Sequence, residues 1–451
     1  MAKKRKKKKI GKKEFLFNFF SLLIIMCIGI YFGGRSFYYY SKQNNTLNSE
    51  ISILSEKIVA NNRVTKGGDG LHQDKEGYYF KGSVKNNYVK FANRDFRIIR
   101  LNKDNTIKLI SEDNASVFMW GDDSSYKKSN LYFWLNKTNN KNTGIYYETL
   151  PSVEKFLVKT KYREDKLLES KVEKSNEVYS DYISILTIDD YVNASGKNSY
   201  LNNGKYSWVI GHDQDDMNLY INEEGSLEGT GNYESYGIRP VITLKKNIKI
   251  ASGDGTKDNP YVIKQGKDIN YVDQYVKLGN DMWKVYRDNG GVLRLSLFKY
   301  VGNGTTYNES RPFSNNTSEF NTLDYNNIGY YLNNQLVPNL SYSNIMLDTN
   351  YFIGEISNDT SLNYSNIFTN VVNCKMGLLN IFDYNPTNNL TDYYLINTMS
   401  TVGSMAYVYN NLGLLEEANV VEEKYIVPTI SIEKKVLKKG NGTLENPYTM
   451  E

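Results

Sequence analysis

The chain has 451 residues, enough for two or three domains with cores of their own, and a formal net charge of +5. That charge is local: residues 1–14 carry nine Lys/Arg against Glu14, and the remainder holds 46 bases against 49 acids. A body without basic excess argues against nucleic-acid binding, while two cysteines leave no material for a disulfide framework or a Cys-rich zinc site, and two histidines remove most common hydrolase and His-ligated metalloenzyme designs.

The first element is the basic tail, residues 1–14, followed by an apolar run, FLFNFFSLLIIMCIGIYF, from Phe15 to Phe32. At about 1.5 Å per residue such a helix crosses a hydrocarbon core. The spacing predicts a transmembrane helix over 15–33. Lysines on its N-terminal side place the tail in the cytoplasm and the bulk outside the membrane, with the bilayer as a partner through residues 15–33. Tyr31 and Phe32 stand where a cleaved signal peptide would need small residues, so the anchor is expected to remain.

Leu47, Ile51, Leu54 and Ile58 fall at spacings of four, three and four, which predicts a short amphipathic stalk helix within 34–77. The same seam could support weak parallel self-association. KGGDG, Lys66–Gly70, reads as a flexible linker.

From Tyr78 the chain alternates apolar and polar residues. YVKFANRDFRIIRLNKDNTIKLI, Tyr88–Ile110, predicts a β-hairpin turning at Asn102–Asn105. It returns as YVKLGNDMWKVYRDNGGVLRLSL, Tyr275–Leu297, and further echoes keep the same order. Trp134-Leu135-Asn136 is echoed by Tyr331-Leu332-Asn333 in segments expected to be helical. Tyr206-Ser207-Trp208 is echoed by Asp392-Tyr393-Tyr394, and YGIRPVITL by YIVPTISI. Both halves close on a glycine-turn-Pro sequence, GDGTKDNPY (Gly253–Tyr261) and GNGTLENPY (Gly440–Tyr448), expected to be a tight turn into a terminal strand. Ordered echoes of this length indicate a tandem duplication, 78–264 and 265–451, with polar stretches such as 137–180 and 302–327 as surface loops.

The hairpin, the W-L-N segment, ILTIDDY, YSWVI, LYINEEGSL and the closing G-x-R-P-V strand with Arg239-Pro240 together resemble bacterial modules related to C-type-lectin-like and formylglycine-generating-enzyme-like (sulfatase-modifying-factor-like) domains. The resemblance implies an α+β fold: two tandem β-rich lectin-like domains with ligand-facing loops. It does not imply oxidase activity, because the catalytic cysteine pair is missing: Cys374 stands alone beyond the apolar run, opposite about Asp181 in the first copy. The second copy departs further, with Val427-Pro428 in place of Arg-Pro.

Four side chains are candidate ligand contacts. Trp120 with Asp122, and Trp208, pair an aromatic face with neighbouring polar groups, as carbohydrate sites do; Arg239 is the fourth, and its alternative role is to tie loop carbonyls together. Asp213, Asp215 and Asp216 in GHDQDDMN could gather oxygen ligands for Ca²⁺, the one cofactor considered, or form a solvated acidic loop. The expected function is non-catalytic binding of a glycan, peptidoglycan or protein ligand at the cell surface. An envelope-assembly scaffold is the alternative, and an enzyme using Asp213–Asp216 the more remote one.

Overall fold

Why the strands form is clearest in the first hairpin region. In this computed structural model, Tyr88–Phe91, Arg94–Asn102 and Ile107–Ser111 make a three-stranded antiparallel meander. Asn105, at φ +67, makes the expected turn, stabilised by Asp104 Oδ1 accepting from the Thr106 amide at 3.0 Å. A second turn lies at Ala92-Asn93, where both residues take positive φ, +52 and +61. Two successive left-handed residues suit a two-residue hairpin, so the stretch read as one hairpin is two. Phe96, Ile98, Ile99 and Leu101 are all buried, showing that both faces of the central strand are covered.

The structure describes residues 52–139, 143–169, 171–266, 270–300, 310–354, 370–384, 392–397, 404–410, 412 and 414–450. The basic tail, the apolar run 15–33, Leu47 and Ile51 lie outside the described residues. Among the described residues no helix is long and apolar enough to cross a membrane. The architecture is strand-rich, with several sheets and short helices.

In the N-terminal half the main sheet runs Ile183–Ser184, Val241–Leu244, Ile107–Ser111, Arg94–Asn102, Tyr88–Phe91, Tyr261–Ile263, Ile250–Ser252. The hairpin Gly70–Asp74/Gly77–Lys81 joins it along Arg94–Asn102, so the sheet starts earlier in the chain than Tyr78. A second sheet runs Leu227–Thr230, Asn218–Ile221, Ser207–His212, Ser235–Ile238, Ser116–Met119.

The C-terminal half has a sheet ordered Tyr275–Leu278, Asp281–Asp288, Val292–Tyr300, Pro428–Glu433, Met376–Leu378, and another ordered Ser310–Arg311, Lys424–Tyr425, Tyr393–Tyr394, Met405–Tyr409, Leu415–Asn419. All five strands of each of these sheets follow, in reverse, the order of five strands in the matching N-terminal sheet, which carries further strands besides. Even the unusual parallel contact recurs, Ser207 opposite Gly237 in one half and Tyr393 opposite Tyr425 in the other. The closing turns also correspond: Gly253 and Gly440 have φ of +106 and +92, and Tyr261 pairs in parallel with Tyr88–Phe91 as Tyr448 does with Tyr275–Leu278.

Helix Leu54–Asn61 has a different role from a free stalk. Leu54 and Ile58 are fully buried in the core of the N-terminal half, and the Leu54 amide donates to the Ile248 carbonyl at 2.8 Å. Asn61 Nδ2 donates to the Tyr261 hydroxyl at 3.0 Å. The described half of the heptad seam is therefore consumed within the chain, leaving Leu54 and Ile58 no surface for a parallel partner. An i, i+4 apolar pair serves a docking helix and a coiled coil equally well.

Residues from Ile53 onward form one compact unit. The core of the N-terminal half extends into Val272, Tyr286, Leu379, Ile381, Phe382, Tyr384, Tyr393, Leu395, Tyr407 and Tyr409 of the C-terminal half. The buried Trp134 Nε1 donates to the Phe382 carbonyl at 2.8 Å across this junction.

Candidate functional site

The second sheet of the N-terminal half carries a concentrated aromatic face. Residues two apart on a strand point the same way, so Tyr206 shares a face with Trp208, and Trp208 is paired across the sheet with Tyr220. The parallel Ser207–Gly237 contact brings Tyr206 beside Tyr236. The three tyrosine rings stack on one another into one aromatic slab, the tyrosine plate: centroids 4.2 Å apart for Tyr220 and Tyr236, 5.5 Å for Tyr206 and Tyr236, and 6.0 Å for Tyr206 and Tyr220, with no two planes more than 21° from parallel. Tyr206 and Tyr236 remain partly exposed and Tyr220 is buried.

Carboxylates surround the plate. The Tyr220 hydroxyl donates to Glu228 Oε2 at 2.6 Å, and Asn222 Nδ2 holds Glu228 Oε1 at 2.7 Å. The Tyr206 hydroxyl is hydrogen-bonded to Glu223, which with burial pushes its pKa up to about 12. Burial first, and then neighbouring glutamates, raise Tyr220 and Tyr236 as well. All three rings thus stay neutral phenols at physiological pH. The tight turn at Asn222–Ser226 sets Glu223 and Glu224 beside the plate. Gly225 sits there at φ +84, and a Cβ on it would lie 2.6 Å from Asn202 Nδ2. Asn222 Oδ1 accepts from the Ser226 amide at 2.9 Å.

The residues expected from sequence are placed as follows. Trp208 lies edge-on to Tyr236 at 4.9 Å and to Trp120 at 5.3 Å. Both tryptophans are buried, and Trp120 Nε1 donates to the Ser124 carbonyl at 3.0 Å. They back the tyrosines and present no ring face to a ligand. Asp122 is exposed and accepts from the Tyr233 hydroxyl at 3.4 Å. Arg239 is fully buried; it donates through Nε to the Ser111 carbonyl at 3.0 Å and through Nη1 to the Leu201 carbonyl. Its guanidinium thus ties two loop carbonyls together and touches no surface, a position that suits the alternative role weighed for it.

Asp213, Asp215 and Asp216 do not converge. Asp213 Oδ1 accepts from the Asp215 and Met217 amides, each at 2.9 Å, and Asp216 pairs with Lys166 at 2.7 Å. Asp213 is thus engaged by the turn and Asp216 by Lys166, and among the described residues no group of three or more His, Cys, Asp or Glu side chains could hold a metal ion. Cys374 is buried, with burial pushing its thiol up to about 12, far from a reactive thiolate.

Reading by residue type singled out tryptophan and passed over Tyr206, Tyr220 and Tyr236. The available signal was a tyrosine on each of three strands already recognised as strands.

Comparison with family models, with curated proteins and with solved structures finds no match to this chain.

Proposed function

We propose that this chain is a membrane-anchored, extracytoplasmic protein with two tandem lectin-like modules, and that it binds a glycan without transforming it, on the face formed by Tyr206, Tyr220 and Tyr236. The observation that carries the reading is the tyrosine plate with hydrogen-bonding carboxylates at its edge. A pyranose offers an apolar C–H face to aromatic rings and hydroxyls to acceptors, so one such plate can meet both needs. Catalysis is not part of the proposal. The Asp213 carboxylate is engaged by backbone amides and that of Asp216 by Lys166.

A glycan array probed with the full chain, Tyr206→Ala and Tyr236→Ala tests it. Binding by the parent protein that falls at least ~10-fold in both variants, with unchanged melting, supports the reading. Equal binding by all three proteins would overturn it.

The scaffold reading is favoured by one separate observation, the core shared between the halves, with Trp134 bonded to Phe382. A body so joined suits spacing as well as display. Cross-linking in intact cells that recovers only this protein would count against it.

A further inference from the structure

We infer that the ligand of the tyrosine plate carries protonated amines: a glycan of amino sugars whose nitrogens are free and not acetylated. This rests on the glycan reading and narrows it. The charges acting on the three phenols are carboxylates: Glu223 and Glu224 on Tyr206, Glu228 on Tyr220, Glu228 and Glu234 on Tyr236. Several acids elsewhere in the chain are matched by bases, as Asp216 is by Lys166, Asp123 by Lys128 and Asp74 by Arg100. None of these four glutamates enters an ion pair among the described residues.

A second observation concerns Glu223 alone. Its Oε2 is closed off from solvent and has no hydrogen-bond partner in the structure. A carboxylate oxygen shielded in this way costs free energy until a donor reaches it. An ammonium supplies that donor and a compensating charge together.

The aromatic plate points the same way. The faces of neutral tyrosine rings carry negative potential and attract cations within about 6 Å. A neutral glycan would cover the glutamates and pay their desolvation without a matching charge. A phosphate- or carboxylate-bearing polymer would meet four like charges. The ligand left is one with a sugar face for the rings and ammonium groups for Glu223, Glu224 and Glu228.

The test uses the full chain in detergent micelles, titrated calorimetrically with three probes of equal length. These are the β-1,4 glucosamine hexamer, its fully N-acetylated counterpart and hexalysine. The free-amine hexamer is expected to bind at least ~10-fold more tightly than the acetylated one, and more tightly than hexalysine. Glu223→Gln with Glu224→Gln should reduce that preference to within ~3-fold, as should 0.5 M salt, while leaving thermal melting unchanged. Tyr206→Ala should weaken both sugars alike. Equal binding of the two sugars overturns the amine requirement and leaves the glycan reading standing. Equal or tighter binding of hexalysine overturns the sugar component, and binding of none of the probes overturns the inference.

Discussion

Arg94 Nε lies 2.6 Å from Asp273 Oδ2, with both side chains shut away from solvent, and the pair crosses from the N-terminal half to the C-terminal half. Lys284 approaches the other Asp273 oxygen at 3.1 Å, the Tyr384 hydroxyl donates to Oδ2 at 2.8 Å, and the Arg94 guanidinium stacks 4.0 Å from the Tyr384 ring centroid. A polar cleft of about 120 Å³ opens beside this cluster, lined in part by Asn93, Asp113 and Ser111. The halves are thus joined by a hydrogen-bonded ionic cluster as well as by apolar packing.

Removing one partner of such a cluster leaves a buried charge uncompensated, so Arg94→Ala should destabilise the protein by about 3–5 kcal/mol. The effect should depend on pH. Burial alone would push the Asp273 carboxyl up, but the Lys284 ammonium and the Arg94 guanidinium outweigh it and hold the group below the usual range. A depressed native pKa gives stability that is fully present above the unfolded value, about 3.9, and is lost as pH falls through the native one. Urea melts from pH 6 to pH 2.5 should show the parent protein and Asp273→Asn converging at the acid end. Parallel curves across that range would refute the assignment.

Arg239 should behave as a structural side chain. Arg239→Ala removes donors from the Ser111 and Leu201 carbonyls and leaves a void, which predicts a loss of about 2–4 kcal/mol in unfolding free energy. Arg239→Met keeps much of the volume and avoids burying a charge, whose burial already lowers the guanidinium pKa. It should recover part of the loss. Chemical denaturation of the three proteins decides this, and equal damage by Met and Ala would show that volume is not what matters.

The two closing turns should respond alike to the same change. A Cβ on Gly253 would sit 1.9 Å from the Pro260 carbonyl oxygen, and one on Gly440 2.0 Å from that of Pro447. Both glycines also need positive φ, so Gly253→Ala and Gly440→Ala should each cost more than about 1 kcal/mol. Thermal melting of the separate variants measures it. A large loss in one and none in the other would mean that the turns are not mechanically equivalent.

Local signals made several strands and turns legible in the sequence. Alternation located strand over Tyr88–Ile110 without dividing Tyr88–Phe91 from Arg94–Asn102, Asn105 marked a turn, and Gly253 and Gly440 marked the closing turns. The Ala92-Asn93 turn was hidden because alanine gives no hint of positive φ. Trp208 was legible as an important aromatic but not as a buried one, because rank by size does not say which ring of a cluster faces out. Tyr206, Tyr220 and Tyr236 come from three strands and meet only through cross-strand register. Arg94 and Asp273, 179 positions apart, meet only when the halves dock. Contacts made by long-range pairing leave no local trace in composition or period.

The most direct measurement of the central claim is nitration of surface tyrosines in the full chain, with and without saturating glucosamine hexamer, followed by peptide mass mapping. Tyr325 and Tyr233 are well exposed and serve as internal controls. The account predicts that the glycan protects Tyr206 and Tyr236 while nitration of Tyr325 stays unchanged. Unaltered nitration of Tyr206 and Tyr236 under saturating glycan would contradict it.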